Sequence, residues 1–343
     1  MTTWLVTGGN GYIGSHITDT LLSSNLDLVV LDRDISQRPT PSHPNLLASI
    51  QGDYADQTLL QDIFATYNPT GIIHTAALKS APESTERPIT YFQENLTKMQ
   101  VLLEEFKKYQ PHTNEKKKFI FSSSAAVYGN GDESAPTTEN YPTKPTSPYG
   151  MTKLAGEFLL KSVAESSGMF AISLRYFNVI GTSTEDKRDT GRTNLLPIIR
   201  HNLESDATTS IYGSTYQTHD GTPVRDYISV QDIADLTLHS ARLLDELAES
   251  NHTEFYDVFN AGFGVGRSVL DVVNQVNECL PEGRELSINF SPKRHGDPSY
   301  IVSDMTKAKH QFGWEPKVSF DLAVQDALGL GRLSQEQEQE NPS

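Results

Sequence analysis

The stretch that decides the fold is TGGNGYIG, Thr7–Gly14, which lies between the apolar run TWLV and the helical run SHITDTLLSS. It fits two glycine spacings: Gly9, Gly11 and Gly14 as G-x-G-x-x-G, or Gly8, Gly11 and Gly14 at three-residue steps. In either spacing, residues without a Cβ let the backbone turn tightly and approach a pyrophosphate at a helix N-terminus. Strand, turn and helix together therefore predict a dinucleotide-binding unit rather than an ordinary glycine-rich turn.

Two acidic residues near this turn could select the nucleotide. Asp32 ends the second strand-like run, LDLVVLD, near the distance at which a carboxylate binds the adenosine ribose hydroxyls. Because its charge repels a 2′-phosphate, Asp32 favours NAD over NADP, although Arg33 beside it weakens that preference. Asp53, with Tyr54 after a third strand-like run, either contacts the adenine amine or is simply a turn aspartate.

The first half of the chain alternates short apolar strands with helical patterns. Strands that are apolar on both faces and alternate with helices predict an α/β fold with a Rossmann-type, doubly wound parallel sheet. After Asn178 the loops lengthen, which predicts a smaller α/β substrate-binding domain. The predicted organisation is a NAD-binding domain over 1–178 and about 226–260, a second domain over about 179–225 and 261–330, and a disordered tail over 331–343.

Composition and charge exclude several classes of function. The 343 residues carry a formal net charge of −16, which argues against a nucleic-acid or membrane-surface partner. The single cysteine, Cys279, excludes an intrachain disulfide and fits a cytoplasmic location. No apolar run approaches the roughly 20 residues of a membrane helix. The ten histidines show no metal-binding spacing, so no metal site is predicted.

The segment SPYGMTK, Ser147–Lys153, could hold a proton-transfer pair. Ser147 suits a helix N-cap and Pro148 the first helical position, so Tyr149 and Lys153 share one helix face. A phenol with a pKa near 10 is a poor base at pH 7. A nearby ammonium, the helix N-terminus and a cationic nicotinamide ring would each lower that pKa.

A bare Y-x-x-x-K occurs by chance in many chains, so its position matters. This one follows a strand that ends in Ser122-Ser123-Ser124, well after the glycine-rich turn. Hydroxyls at the carboxyl end of such a strand point into the ligand crevice of an α/β sheet. The pair is therefore interpreted as a tuned tyrosine base rather than as exposed surface.

Taken together, TGGNGYIGSH, FSSSAAVYG and SPYGMTK resemble the extended short-chain dehydrogenase/reductase pattern. A finer resemblance, to the UDP-glucose 4-epimerase family, is carried by GIIHTAALKSAPES, LRYFNVIG, TNLLPII, YQTHDGTPVRDYISV and SPKRHGD. It covers the chain from Trp4 to about Gln325. The resemblance implies an isomerase of galactose metabolism that interconverts UDP-galactose and UDP-glucose with tightly bound NAD.

In the mechanism that this resemblance implies, Tyr149 removes the proton of the sugar O4 hydroxyl while NAD accepts the C4 hydride. Lys153 binds the nicotinamide ribose and lowers the tyrosine pKa, and Ser124 bridges the O4 hydroxyl and Tyr149. The 4-keto sugar turns over while UDP stays bound, and hydride returns to the opposite face. Binding energy thus lies in the part of the substrate that does not react.

The motifs and the resemblance together predict the binding residues. For NAD they are Gly8, Gly11, Tyr12, Ile13, Gly14, Asp32, Arg33, Asp53, Tyr54, Thr75, Ala76, Ala77, Lys79, Asn95, Ser122, Tyr149, Lys153 and Phe177. For the UDP-sugar they are Lys79, Ser124, Tyr149, Asn178, Asn194, Leu195, Tyr212, Arg225, Arg294, Asp297 and Ile301. The helices ITYFQENLTKMQVLLEEF and KLAGEFLLKSV correspond to those that form a four-helix homodimer interface in relatives.

The residues after the serine strand end bear on other activities found among related proteins. Relatives that dehydrate or decarboxylate nucleotide sugars carry an acid just after the serine strand end, where this chain has Ala125-Ala126. A net oxidoreductase, another UDP-sugar 4-epimerase and a non-catalytic NAD-binding regulator remain as alternatives. An ungapped alignment puts Ile301 at the family's sugar-pocket gate, whereas a one-residue slip puts Tyr300 there. Acceptance of N-acetylated sugars is therefore left open.

Overall fold

The computed structural model of the chain describes residues 2–36, 38, 41–112, 115–131, 135–250, 252–294 and 297–330. The predicted tail, 331–343, lies outside these residues. Within them, no helix combines the length and the apolar character needed to cross a bilayer.

Strands and helices alternate along most of the chain. The strands are β1 Thr3–Thr7, β2 Asp27–Asp32, β3 Leu46–Gln51, β4 Gly71–His74, β5 Lys118–Ser124, β6 Phe170–Tyr176, β7 Asn178–Ile180, β8 Thr209–Tyr212, β9 Val224–Ser229, β10 Phe255–Ala261, β11 Gly266–Ser268, β12 Ile288–Ser291 and β13 Tyr300–Ile301. The helices are α1 Tyr12–Ser23, α2 Gln57–Tyr67, α3 Ala81–Glu86, α4 Pro88–Phe92, α5 Lys98–Lys108, α6 Pro148–Ser167, α7 Leu195–Glu204, α8 Val230–Glu249, α9 Val269–Cys279, α10 Thr306–Phe312 and α11 Phe320–Leu328.

Seven parallel strands form the main sheet, in the order β10-β6-β5-β4-β1-β2-β3. The chain moves outward in one direction from β1 to β3 and in the other from β4 to β10. The order therefore reverses between β1 and β4, which is where open α/β sheets bind their ligands, outside the carboxyl ends of the strands. This topology confirms the predicted Rossmann-type fold.

Alternate residues of the main-sheet strands pack on opposite faces. Trp4 and Val6 join one core with helices α1 and α8, whereas Leu5 joins a second core with α2, α5 and α6. Because both faces are covered by helices, the strands must be apolar on both sides, as the sequence pattern indicated.

A smaller unit follows the main sheet. Strands β11, β9 and β13 form one short sheet, with β7 also paired to β9, and β12 pairs with β8. Its core is formed by apolar residues of α7, α9 and α11, with Ile211 and Tyr227 from the strands. Strand β9 thus lies in the smaller unit, whereas α8 directly after it packs on the main sheet. The exact domain boundaries stay a prediction.

Candidate active site

The glycine-rich turn brings the start of α1 close to the end of β1. Gly8 has a φ of +73°, a conformation that favours glycine. A Cβ on Gly14 would lie 2.0 Å from the carbonyl oxygen of Gly8. Gly11 is the N-cap of α1 and has no side chain to cap the helix. The first N–H groups of the helix are thus left for an anion such as a pyrophosphate.

Asp32 lies at the end of β2, on the wall of a cavity beside this turn. Its two carboxylate oxygens accept hydrogen bonds from the backbone N–H groups of Asn10, at 3.0 Å, and Asp34, at 3.2 Å. These contacts fix the carboxylate against the glycine-rich turn. Arg33 also lines the cavity, but its guanidinium is exposed and pairs with Glu94 at 3.1 Å.

The cavity has a volume of about 800 Å³ and extends from the glycine-rich turn to the smaller unit. Pockets that bury a ligand usually enclose 300–1,000 Å³. The cavity of this chain brings together most of the predicted site residues. They are Gly8, Gly11, Tyr12, Ile13, Gly14, Asp32, Arg33, Tyr54, Thr75, Ala76, Ala77, Lys79, Ser122, Ser124, Tyr149, Lys153, Phe177, Asn178, Asn194, Leu195, Tyr212, Arg225, Arg294 and Asp297.

Three predicted site residues do not line the described part of the cavity wall: Asp53, Asn95 and Ile301. Asp53 forms an ion pair with Lys98 at 2.6 Å. The Asn95 amide bonds the backbone of Leu78, which positions the loop carrying Lys79 instead of facing the cavity.

Ile301 is buried in a small cluster with Ala125, Val127, Tyr128 and Phe177, behind the end of strand β5. Tyr300 does not line the described cavity wall either. Neither alignment considered for the sugar-pocket gate therefore places a side chain directly on that wall. Ile301 would influence sugar size only through Phe177, which shares its cluster and does line the cavity wall.

The local sequence builds the start of α6 as predicted. The Ser147 hydroxyl accepts a hydrogen bond from the N–H of Gly150 at 3.2 Å, and Pro148 occupies the first turn. Gly150 is required because a Cβ there would lie 2.6 Å from the carbonyl oxygen of Ala126. This close contact holds the first turn of α6, and with it Tyr149, against the end of β5.

Lys153 lies below Tyr149 on the same face of α6. It is 4% exposed, its ammonium donates to the carbonyl of Ser122 at 2.7 Å, and it lies 5.9 Å from the centre of the Tyr149 ring. Burial lowers the pKa of Lys153 to about 7, and the charge of Glu157 acts in the opposite direction.

Burial also raises the pKa of the Tyr149 phenol, and its hydrogen bond with Ser124 lowers it only in part. The sequence predicted a lowered phenol pKa from the lysine, the helix N-terminus and a cationic cofactor ring. In the chain by itself, loss of hydration outweighs these influences. A tyrosine base here thus needs a charged Lys153 together with the positive charge that arrives with the ligands.

Charged and aromatic groups meet at the other end of the cavity. The Arg225 guanidinium donates to Asp297 at 2.5 Å and to the carbonyl of Val224 at 2.8 Å. The Arg294 guanidinium lies 3.8 Å from the centre of the Tyr212 ring. Two guanidinium groups and an aromatic face suit a diphosphate joined to a flat base.

Asp189, a carboxylate on the cavity wall, was not predicted from the sequence. It pairs with Lys79 at 3.0 Å and accepts a hydrogen bond from the Asn194 amide at 3.0 Å. It thus joins a predicted NAD contact to a predicted UDP contact. The only sequence signal is a charged run, EDKRD, in a loop without regular pattern. Tyr227 is a second wall residue that was missed.

Away from the cavity, His219, Asp220 and Asp271 place potential metal ligands within 4.8 Å of one another. Hydrogen bonds from Ser268 and Thr222 already engage Asp220, and Asp271 closes the capping box of α9. These side chains therefore have structural roles, and the absence of a functional metal stays a prediction.

Comparisons with known proteins agree with this geometry. The model of the NAD dependent epimerase/dehydratase family matches residues 4–262. A curated UDP-glucose 4-epimerase of Yersinia pestis is 37% identical over 339 residues, covering 94% of this chain and 95% of the relative.

Solved structures are similar over almost the full length. A UDP-glucose 4-epimerase from Bifidobacterium longum, in complex with NAD⁺ and UDP, has a TM-score of 0.84 at 31% identity and covers 99% of each chain. One from Stenotrophomonas maltophila, with bound NAD and formylated UDP-arabinopyranose, has a TM-score of 0.84 at 28% identity, covering 98% of this chain and 100% of that one. These findings confirm the resemblance that the sequence motifs indicated.

Proposed function

The chain belongs to the NAD-dependent epimerase/dehydratase family, and on that premise we propose that it interconverts UDP-galactose and UDP-glucose by inverting C4 of the hexose. The observation that carries this proposal is one cavity that holds Ser124, Tyr149 and Lys153 between the glycine-rich turn and the guanidinium groups of Arg225 and Arg294. The reaction would belong to galactose metabolism. A cytoplasmic location remains part of the proposal.

The residues of the glycine-rich turn fit NAD. The uncapped start of α1 suits the pyrophosphate, and Asp32 suits the adenosine ribose hydroxyls. A Cβ at Gly14 would collide with the carbonyl oxygen of Gly8, so glycine there lets α1 begin close against the turn. Bound NAD supplies the oxidising and reducing capacity for the sugar carbon.

The chain's own residues would move and hold the proton of the O4 hydroxyl. Tyr149 takes this proton, and Ser124, which already shares a hydrogen bond with Tyr149, aligns the sugar hydroxyl with the phenol. Lys153 supplies positive charge beneath the phenol and favours its ionised form. Ser124 and Tyr149 are half-buried on the cavity wall, so a bound hexose would cover them and keep this proton from solvent.

The UDP part would be bound by Arg225, Arg294, Tyr212 and Asn194 while the sugar turns over. The two guanidinium groups suit the diphosphate and the Tyr212 ring suits the uracil. Binding energy is then concentrated on atoms that do not react, which leaves the hexose free to present either face of C4.

The reaction class is narrowed by the residues after Ser124. Ala125 and Ala126 form a short 3-10 turn there and offer no acid for elimination. A dehydratase would lack its proton-handling group, so we favour an epimerase over that alternative. A non-catalytic regulator is disfavoured because both Tyr149 and Lys153 are retained.

The first experiment incubates the purified protein with UDP-galactose without added NAD and measures UDP-glucose by chromatography. We expect interconversion without added cofactor, because the dinucleotide would be retained from expression. A parallel sample contains UDP-N-acetylgalactosamine and reports the space around the sugar. If neither sample gave product, even with NAD supplied, the epimerase proposal would be contradicted.

We also propose that two chains associate through α4 and α6. These helices pack on each other and expose Ile89, Phe92, Met151 and Phe158, which are 73%, 37%, 44% and 63% exposed. We name these four residues the α4–α6 patch. Contiguous exposed apolar residues on adjacent helices are typical of an interface between subunits, and a self-complementary patch suits a two-fold dimer.

Replacing both Ile89 and Phe158 by glutamate is expected to convert the protein to a monomer. Charges in the centre of an apolar interface would raise the dimer dissociation constant by about 100-fold or more. Sedimentation velocity measures the change. The matched control is Leu322→Glu on α11, which is 45% exposed and lies outside the patch. A double variant that sediments like the control would contradict the proposed interface.

A further inference from the structure

A buried ion pair lies one helical turn beyond Lys153. Glu157 follows Lys153 by four residues on α6, on the same helix face, and is 4% exposed. Both of its carboxylate oxygens are bound by the Arg175 guanidinium, at 2.9 and 2.7 Å. Ionised side chains are rarely buried to this degree without a specific role or a partner.

Glu157 is also tied to the strand that carries the site serines. The hydroxyl of Ser123, between Ser122 and Ser124, donates to Glu157 at 2.5 Å. Ser122 in turn supplies the carbonyl that binds the Lys153 ammonium. The carboxylate therefore connects α6 to the end of β5 at the point where the proposed proton transfer occurs.

Further contacts fix Arg175 in place. Its guanidinium donates to the Tyr128 hydroxyl at 2.9 Å, and Tyr128 donates to the Asn260 side chain at 2.6 Å. Burial alone would lower the pKa of Arg175, but its hydrogen bonds to Glu157 raise that pKa overall, so the guanidinium stays charged. The network leaves Glu157 little freedom to move away from Lys153.

We propose that Glu157 is a positioning residue that keeps the Lys153 ammonium charged in its buried site, and that Ser123 and Arg175 hold Glu157 for this purpose. Burial favours neutral lysine, and the charge of Glu157 opposes it. The inference deepens the proposed function, because Lys153 assists Tyr149 only as a cation. The charge of Lys153 is nevertheless measurable without any substrate.

The other titratable groups around Lys153 and Glu157 do not take the place of the negative charge of Glu157. His74 on β4 has its pKa lowered to about 3 by burial, so it is neutral near pH 7. Tyr149 on α6, Tyr128 in the loop after β5, Tyr176 on β6 and Tyr256 on β10 have raised pKa values because they are buried. Two other ionisable groups lie in this network: Arg175 is directed at Glu157, and the Glu139 carboxylate accepts a hydrogen bond from the backbone N–H of Asn260.

The test titrates Lys153 directly in the purified protein by NMR of ¹³Cε-labelled lysine, with the resonance assigned by its loss in Lys153→Met. In Glu157→Gln the pH at the midpoint of the Lys153 titration is expected to fall by about one unit or more. The alkaline limit of UDP-galactose turnover should move to lower pH by the same amount. Glu157→Asp keeps the charge and should restore most of the midpoint.

The matched control is Glu105→Gln on α5, which removes another buried carboxylate, bound by Gln61 of α2 and Lys108 of α5. It should leave the Lys153 midpoint unchanged. If Glu157→Gln does not fold, Glu157→Gln with Arg175→Met removes both charges and leaves no unpaired ion. This double variant should show a smaller fall in the Lys153 midpoint, because loss of the Arg175 cation offsets part of the effect of losing the carboxylate. An unchanged midpoint in the variant that folds would overturn the inference, whereas a shifted midpoint together with an unsubstituted protein that does not turn over UDP-galactose would count against the proposed function alone.

Discussion

Replacing Tyr149 by phenylalanine is expected to lower turnover of UDP-galactose by about 10²- to 10⁴-fold, the range that general acid–base groups contribute. The phenol hydroxyl is the only part removed. The ring would keep its edge contact with Tyr91, 6.5 Å between centres, so the fold and the NAD content should not change. The measurement is the rate of UDP-glucose formation together with the NAD released on denaturation.

The matched control for this variant is Tyr109→Phe. Tyr109 also carries a hydrogen-bonded hydroxyl, but it follows α5 and bonds Asn68 outside the described cavity wall. Loss of the Tyr109 hydroxyl should leave turnover within about twofold of that of the unsubstituted protein. Removing a hydroxyl far from the site changes stability more than chemistry. If Tyr149→Phe and Tyr109→Phe turned over substrate equally well, the phenol could not be the base.

Substituting Gly14 by alanine is expected to abolish retention of NAD. The added Cβ would be placed 2.0 Å from the Gly8 carbonyl oxygen and 2.9 Å from the Gly9 Cα, both of which are backbone. The turn must therefore open, which moves the N–H groups away from the pyrophosphate. We expect at least about a tenfold fall in bound NAD and a stability loss of about 1–3 kcal/mol. Absorbance of the cofactor released from purified protein measures the first quantity, and thermal unfolding measures the second.

The control is Gly283→Ala, because Gly283 has a φ of +81° and no atoms within 4 Å of an added Cβ. Alanine there strains the backbone without touching the cavity, so stability should fall by about 1 kcal/mol while NAD stays bound. The comparison separates general destabilisation from damage to the turn. Full NAD content in Gly14→Ala would show that the turn does not hold the dinucleotide.

The fold was predictable because its pattern is local. Short apolar strands, each followed by a helical run, require a parallel sheet with both faces covered, and Thr7–Gly14 fixes the first turn. The smaller unit was harder to predict. Its strands are two to six residues long and pair with partners far along the chain, as β9 does with β7, β11 and β13.

The placement of candidate site residues could be predicted where a motif carries its own geometry, and their roles stay a prediction. Ser147 and Pro148 define the start of α6, so the common face of Tyr149 and Lys153 follows from sequence spacing. Prediction was weaker where a side chain could turn to another partner. Asp53 pairs with Lys98, and Asn95 bonds a neighbouring loop, although both lie in segments that match the family.

The sequence by itself determined the parallel sheet, the dinucleotide turn and the positions of the tyrosine and the lysine, because each depends on residues close together in the chain. Only the tertiary structure decided that Asp189 joins Lys79 to Asn194 and that Glu157 is bound by Arg175 and Ser123. It also decided that the pKa of Tyr149 is raised and not lowered. Burial and long-range pairing set these properties, and both arise only when strands distant in sequence are packed side by side.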